Sequence, residues 1–329
     1  MLQYIARRLA YFIPTLIVIS IVSFALIQLP PGDYLTSYVM TLAEAGDSVS
    51  EAELGALNRQ YGLDQPIYVQ YAKWTWNMLH GDFGISFEWN LPVSELIWER
   101  LFLTMIVSLF SILFTWIVGI PIGIYSATHQ YSIGDYIATV IGFIGMGIPN
   151  FMIALVLLWV GFSYFGVQLG GLFSRGFENA PWSIAKVWDL IQHLWIPMLV
   201  LGISGTAWTI RSTRANMLDE LNKPYVETAR AKGLKERKLI WKYPVRLAMN
   251  PFISTIGYVL PNLISGATII SVVLSLPTAG PLLLRALMSQ DMYLAGSFVM
   301  LLSVLTVVGT LLSDILLAWV DPRVRYGGR

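Results

Sequence analysis

In 329 residues, 56% of the side chains are hydrophobic and only 12% are charged, and the mean hydropathy is +0.63. That is about half the usual charged share, too little to cover the surface of soluble domains, so the composition points to an all-α polytopic membrane protein. Cysteine is absent, which excludes disulfides and thiolate metal sites. His80, His129 and His193 lack metal-ligand spacing, and a net charge of +1 gives no reason to expect nucleic acid.

Six stretches of roughly 20 nearly uncharged residues each match the length a bilayer core requires. The first is predicted over about Leu9 to Leu29. It follows Arg7 and Arg8 and is too long for a secretory leader, so it reads as an uncleaved anchor. Residues 30 to 100 then form a large segment between the first two spans, with acidic residues and Trp74, Trp76, Trp89 and Trp98. Within it, SVSEAELGALNRQYG reads as a short helix capped by Ser50, with Glu53 as its capping-box partner. Asp82, in a Gly-Asp pair, reads as a turn residue.

The second span is predicted over about Leu101 to Ser126 and the third over about Ile137 to Phe165. The fourth, short, runs from about Leu194 to Ile210, the fifth from about Phe252 to Leu276 and the sixth from about Leu294 to Trp319. With both termini on one side, that side carries fifteen Lys and Arg and the other carries six. The positive-inside rule makes the richer side cytoplasmic, together with residues 211 to 250. The domain reading is a first piece, 1–100, with the anchor and external segment, and a five-helix core, 101–329, containing the 211–250 loop.

That loop is the chain's one large polar feature on the basic side. Tyr225, Val226, Ala229, Ala231 and Leu234 interleave with Glu227, Arg230, Lys232 and Lys235. Pro224 suits a first helical turn and Gly233 a helix end, so the pattern predicts two short helices meeting at a glycine corner, the second over KERKLIWKYPVRLAMN. In the fifth span, Ser254, Tyr258, Asn262, Ser265, Thr268, Ser271 and Ser275 recur three or four residues apart, a polar stripe near one helix face. Such a stripe either packs against another helix or lines a wet path.

The motifs resemble those of a known family. E-T-A-R-A-K-G, Glu227 to Gly233, resembles the E-A-A-x-x-x-G loop of bacterial ABC importer permeases, with Thr228 in place of an alanine. PPGDY, YGLDQPIYVQY, HGDFGIS, IPNF, SGATIISVVLSLPTAGPLLLRALMSQDMYLAG and DPRVRY resemble, in order, segments of the dipeptide/oligopeptide/nickel branch, in particular the first permease of its usual pair. The resemblance implies a type I ABC importer permease fold with six transmembrane helices in the bacterial or archaeal inner membrane. It also implies a second homologous permease, two cytoplasmic ATPase subunits and an external solute-binding protein as partners. Glu227, Ala229, Gly233 and Leu234 carry over as positions of a coupling helix that meets an ATPase. For the fifth span the resemblance suggests a place on the solute pathway, which makes Tyr258, Asn262, Ser265 and Thr268 of the polar stripe the expected pathway residues. The chain contains no G-x-x-x-x-G-K-[ST] phosphate loop, so ATP hydrolysis is expected in separate subunits and no cofactor in this one. Peptides are the expected solute. Oligosaccharides remain open as the alternative, and nickel is disfavoured by the absence of Cys and the scarcity of His.

Overall fold

The computed structural model describes residues 2–28, 65–178 and 180–320, and their side chains except at 2–9, 26–28, 255–266 and 317–320. The expected helix near Ser50 and the DPRVRY motif lie outside the described residues. Those described are almost entirely helical. One isolated antiparallel bridge, Ile85 to Pro92, closes a turn. Each of the six expected apolar segments falls on a helix or a bent helix pair. Among the described residues, three helices are long and apolar enough to cross a bilayer, and a bent pair makes a fourth candidate.

Two compact units divide the chain. The first comprises Met1–Phe102 and Thr278–Val307. It holds α1 (Leu2–Gln28), α2 (Ile67–Leu79), the first turns of α3 (Val93–Thr128), α11 (Ala279–Met288) and the first half of α12 (Met292–Val320). Its core is aromatic. Phe24 of α1, Trp74 of α2, Phe87 and Met292 bury one another. The Ser20 and Tyr71 hydroxyls share a 2.8 Å hydrogen bond between α1 and α2. Trp74 is therefore a packing residue, whereas Trp76 and Trp98 stand more than half exposed.

The turn from 80 to 92 is fixed by two carboxylates. Asp82 accepts the Gly84 N–H at 2.9 Å, the turn role expected of it. Gly84 has φ +79° and lies so close to Tyr293 that a Cβ would meet the ring at 2.7 Å. Asp291 is fully buried and accepts from the Ser86 hydroxyl at 2.5 Å, the Glu88 N–H at 3.3 Å and the Leu294 N–H at 3.0 Å. Burial raises its pKa and these hydrogen bonds oppose the rise. Arg285 pairs with Glu88 at 2.5 Å and lies over Trp89.

The second unit, Leu103–Pro277 with Val308–Arg329, contains the remaining elements. They are most of α3, then α4 (Ile133–Gly147), α5 (Asn150–Phe165), α6 (Ile184–Leu221), α7 (Pro224–Ala231), α8 (Glu236–Lys242), α9 (Pro244–Ala248), α10 (Asn250–Val273) and the second half of α12. Two expected spans take a more detailed form here. The third is a bent pair, in which α4 and α5 meet at 94° around Ile148 and Pro149. Proline has no N–H to give and forces the preceding residue out of helical geometry, so Ile148 is extended, with ψ 125°. The fourth expected span, Leu194 to Ile210, lies inside a longer helix, since α6 continues for 38 residues into polar turns at both ends.

Glycine sets the tightest helix contact. Gly119 and Gly123 of α3, four residues apart, face Thr209 and Thr213 of α6. A Cβ on Gly123 would lie 2.6 Å from the Thr213 Cβ and 2.9 Å from the Ile210 carbonyl oxygen. This is the small-residue spacing that lets two membrane helices approach backbone to backbone. Around α6 the core gathers Leu103, Val107, Ala154, Leu190, Leu194, Val200, Ile270 and Leu274.

Candidate functional site

The 211–250 segment is a small folded body built on the end of α6. Pro224 opens α7 at a position where a missing N–H costs nothing. The helix is one-sided, with Val226 and Ala229 turned inward to pack with Leu239 of α8, and Tyr225, Leu234, Ile240 and Tyr243 around them. Gly233, at φ +78°, ends it. Its N–H donates to the Arg230 carbonyl at 3.0 Å and the Leu234 N–H reaches back to the Ala229 carbonyl at 3.3 Å. That pair of bonds is a Schellman motif, which requires a left-handed residue at its turn and brings the residues three before and two after the cap into apolar contact. Here those residues are Ala229 and Leu234, both in the same small core. The Tyr225 hydroxyl donates to Glu220 at 2.5 Å and ties α7 to α6; burial is the main cause of its raised pKa.

The second predicted helix is divided. Tyr243 sits at φ −116°, ψ −75° and Pro244 restarts the chain as α9, so α8 and α9 replace one continuous stretch. Val245 and Ala248 of α9 pack with Ile124 and Ala127 of α3 and Met217 of α6, which seats the body on the ends of the long helices. Its outer surface is basic: Lys223, Arg230, Lys232, Lys235, Arg237, Lys238, Lys242 and Arg246 are all exposed. The Arg230–Glu236 pair, 2.6 Å apart and half exposed on both sides, bridges the glycine corner.

Beneath lies a polar node with no counterpart in the sequence reading. Asp135, in the first turn of α4, is 3% exposed. Arg214 of α6 grips it with two bonds, 2.8 and 2.9 Å. The Ser126 hydroxyl of α3 donates to the same carboxylate, as does the Tyr131 N–H at 3.0 Å. The Arg214 hydrogen bonds are the largest cause holding the Asp135 carboxyl far below its ordinary value, against the opposing effect of burial. One carboxylate thus joins α3, the following turn, α4 and α6. A hint was legible in S-I-G-D, since Ser132 caps α4 by accepting the Asp135 N–H at 3.2 Å. The arginine partner, 79 positions away, leaves no local trace.

Of the residues singled out in the loop, Glu227 and Gly233 are exposed, Ala229 is buried and Leu234 is half-buried against the same core. Tyr258, Asn262 and Ser265 lie on α10 outside the described side chains. Thr268 is half-buried and Ser271 buried, while the Ser254 hydroxyl turns back to the Pro251 carbonyl at 2.8 Å. Ser275 lies beyond the helix, at φ 54°. Among the described residues no cluster of His, Asp or Glu has metal-binding geometry.

Comparison with known proteins accounts for almost the whole chain. Residues 119–326 match the family model "Binding-protein-dependent transport system inner membrane component", and residues 1–109 match the model of the N-terminal part of such membrane components. The oligopeptide transport system permease protein AppB of Bacillus subtilis is 38% identical over 327 residues, covering 99% of this chain and 100% of that protein. The dipeptide transport system permease proteins DppB of Alkalihalophilus pseudofirmus and Escherichia coli K12 are 31% and 32% identical, each over 99% of this chain. The apolar helices, the folded polar body at the end of α6 and these matches lead to one conclusion: the chain belongs to the family of binding-protein-dependent transport system inner membrane components.

Proposed function

We propose that this protein is the permease subunit of an ATP-driven peptide importer, and that α7 with its glycine corner is the surface through which ATPase subunits drive it. The observation that carries the coupling role is the construction of α7. An eight-residue helix is locked by its own Schellman closure and seated on α8, and it presents Glu227, Thr228 and Lys232 outward. Short, rigid and attached directly to α6, it suits the transfer of a rigid-body displacement. In this reading Glu227 and Gly233 meet the ATPase, while Ala229 and Leu234 hold the helix in shape. The partners are a second homologous permease, two cytoplasmic ATPases and an external binding protein, and both termini are cytoplasmic, following the basic asymmetry. The polar face of α10 with Tyr258, Asn262, Ser265 and Thr268 lines the solute path. Peptide is the preferred solute because the relatives named above carry dipeptide or oligopeptide transport in their names.

The test separates contact from folding. Gly233→Asn keeps a residue that tolerates positive φ, whereas Trp there would strain the left-handed corner, so bulk is added instead at the exposed helical position 227, as Glu227→Trp. In the reconstituted transporter, the Asn variant is expected to retain peptide uptake and stimulation of ATP hydrolysis by loaded binding protein. The Trp variant is expected to lose both at normal membrane abundance. Normal uptake by Glu227→Trp would reduce the body to a topology determinant.

A further inference from the structure

A second site lies between α4 and α6, one turn from the Asp135 node. A cavity of about 550 Å³ is lined by Thr139, Phe143 and Met146 of α4 and by Trp208, Arg211, Ser212, Arg214 and Ala215 of α6. The lining divides by chemistry. Phe143, Met146 and Trp208 are apolar, Arg211, Arg214, Ser212 and Thr139 offer hydrogen-bond donors, and no carboxylate lines it. Arg214 is already neutralised by Asp135. Arg211 is not. Its guanidinium lies 5.1 Å from the Phe143 ring centroid and 3.4 Å from the Met146 sulfur, contacts that orient the charge without cancelling it. Among the described residues it has no acidic partner. The cavity therefore holds one surplus positive charge.

Its place in the helix identifies what balances that charge. Arg211 is the first charged residue after the apolar run Leu194–Ile210 of a membrane-spanning helix, so it sits where hydrocarbon gives way to headgroups. The cavity's own apolar side chains, Phe143, Met146 and Trp208, are each more than 40% exposed, so its apolar half opens at that same boundary. An anion with an attached hydrocarbon chain satisfies both halves. We infer that this cavity binds the phosphodiester headgroup of an anionic phospholipid, with Arg211 as its charge partner, Ser212 and Thr139 as donors, and the start of the acyl chains against Phe143, Met146 and Trp208. A soluble phosphate would use only the polar half. A carboxylate on a neighbouring subunit would leave Phe143, Met146 and Trp208 without a role.

The purified, delipidated full chain is titrated with palmitoyl-oleoyl phosphatidylglycerol or the matching phosphatidylcholine, and bound lipid is counted by native mass spectrometry. Phosphatidylglycerol is expected to be retained in preference. Arg211→Gln weakens retention about fivefold, the usual worth of one basic residue at an anionic surface. Arg211→Lys, which keeps the charge, loses less, and Phe143→Ala, which removes the platform, also weakens it. Unfolding temperatures of the variants stay at the wild-type value, because Arg211 is exposed. Equal retention of the two lipids, or unchanged retention by Arg211→Gln, overturns the inference. Displacement of the lipid by an equal concentration of glycerol phosphate would reassign the cavity to free phosphate. Loss of the bound lipid when the complete transporter assembles would assign it to a subunit contact. Each of those results also overturns it.

Discussion

Replacing Asp135 by Asn removes one negative charge from the node and leaves its volume almost unchanged. The wild-type carboxylate receives two bonds from Arg214 and one each from Ser126 and the Tyr131 N–H. An Asn side chain keeps one acceptor oxygen and turns an NH2 toward the other donors. Breaking a buried pair by neutralising one partner costs about 3–5 kcal/mol. Arg214 retains 30% side-chain exposure, so water recovers part of its solvation and the expected loss falls to about 2–3 kcal/mol. Thermal unfolding of the purified full chain, followed by tryptophan fluorescence, should show a fall of about 5 °C or more. Coupling is read from a cycle with Arg214→Gln, in which the double variant loses about as much as either single one. The pH dependence has a definite sign. Because the folded-state pKa is depressed, the pair's contribution is complete above the unfolded value near 3.8 and disappears as pH falls toward the folded one. The gap between wild type and Asp135→Asn should therefore be constant from pH 8 to 5 and close only below about pH 4. Additive single variants, or a gap that narrows between pH 8 and 6, would refute the assignment of these bonds to one buried node.

Gly123→Ala forces a methyl against Thr213 and the Ile210 carbonyl, so it should destabilise the chain by about 1–3 kcal/mol, whereas Gly147→Ala, with open space around it, should not; the same unfolding assay decides. For topology, single cysteines at Ser48 and Lys238 in this cysteine-free chain should differ, with an impermeant maleimide labelling intact cells at 48 only. For the pathway, cysteines at Tyr258, Asn262, Ser265 and Thr268 should react with water-soluble thiol reagents, and the reactive set should change when ATP and vanadate trap the transporter; uniform protection would mean the stripe is buried packing.

The features legible in the sequence are those written in neighbouring residues. Long uncharged runs mark the apolar helices, and Pro224 and Gly233 mark the two ends of α7. The bend at Pro149 was equally local, yet the surrounding run is so apolar that hydropathy treats it as one span. The division of the second loop helix at Pro244 was obscured by apolar and basic residues continuing on both sides. The Asp135–Arg214 and Ser86–Asp291 contacts were not legible at all. Their partners lie 79 and 205 positions apart, and isolated serines, aspartates and arginines at helix ends and in turns read as ordinary capping, turn and surface residues. Burial gives them meaning, and burial of this kind is a property of the assembled helices.

The 38 residues of α6, at 1.5 Å each, make a rod about 57 Å long, while the hydrocarbon layer it crosses is about 30 Å thick. Nearly half its length therefore lies outside the oil. One end is held where Lys186 donates to the Ala180 carbonyl at 2.7 Å and Asp189 receives the Ser174 hydroxyl at 2.6 Å; the other runs through Asn222 and Lys223 into α7. A tilt of about 5° around the first end sweeps the second through about 5 Å, close to one helical turn. Such a rod cannot swing alone: α3 is packed on its far half at Thr209 and Thr213 and α4 is tied to it through Asp135 and Arg214, so a stroke of that size at Leu221 would carry both helices with it.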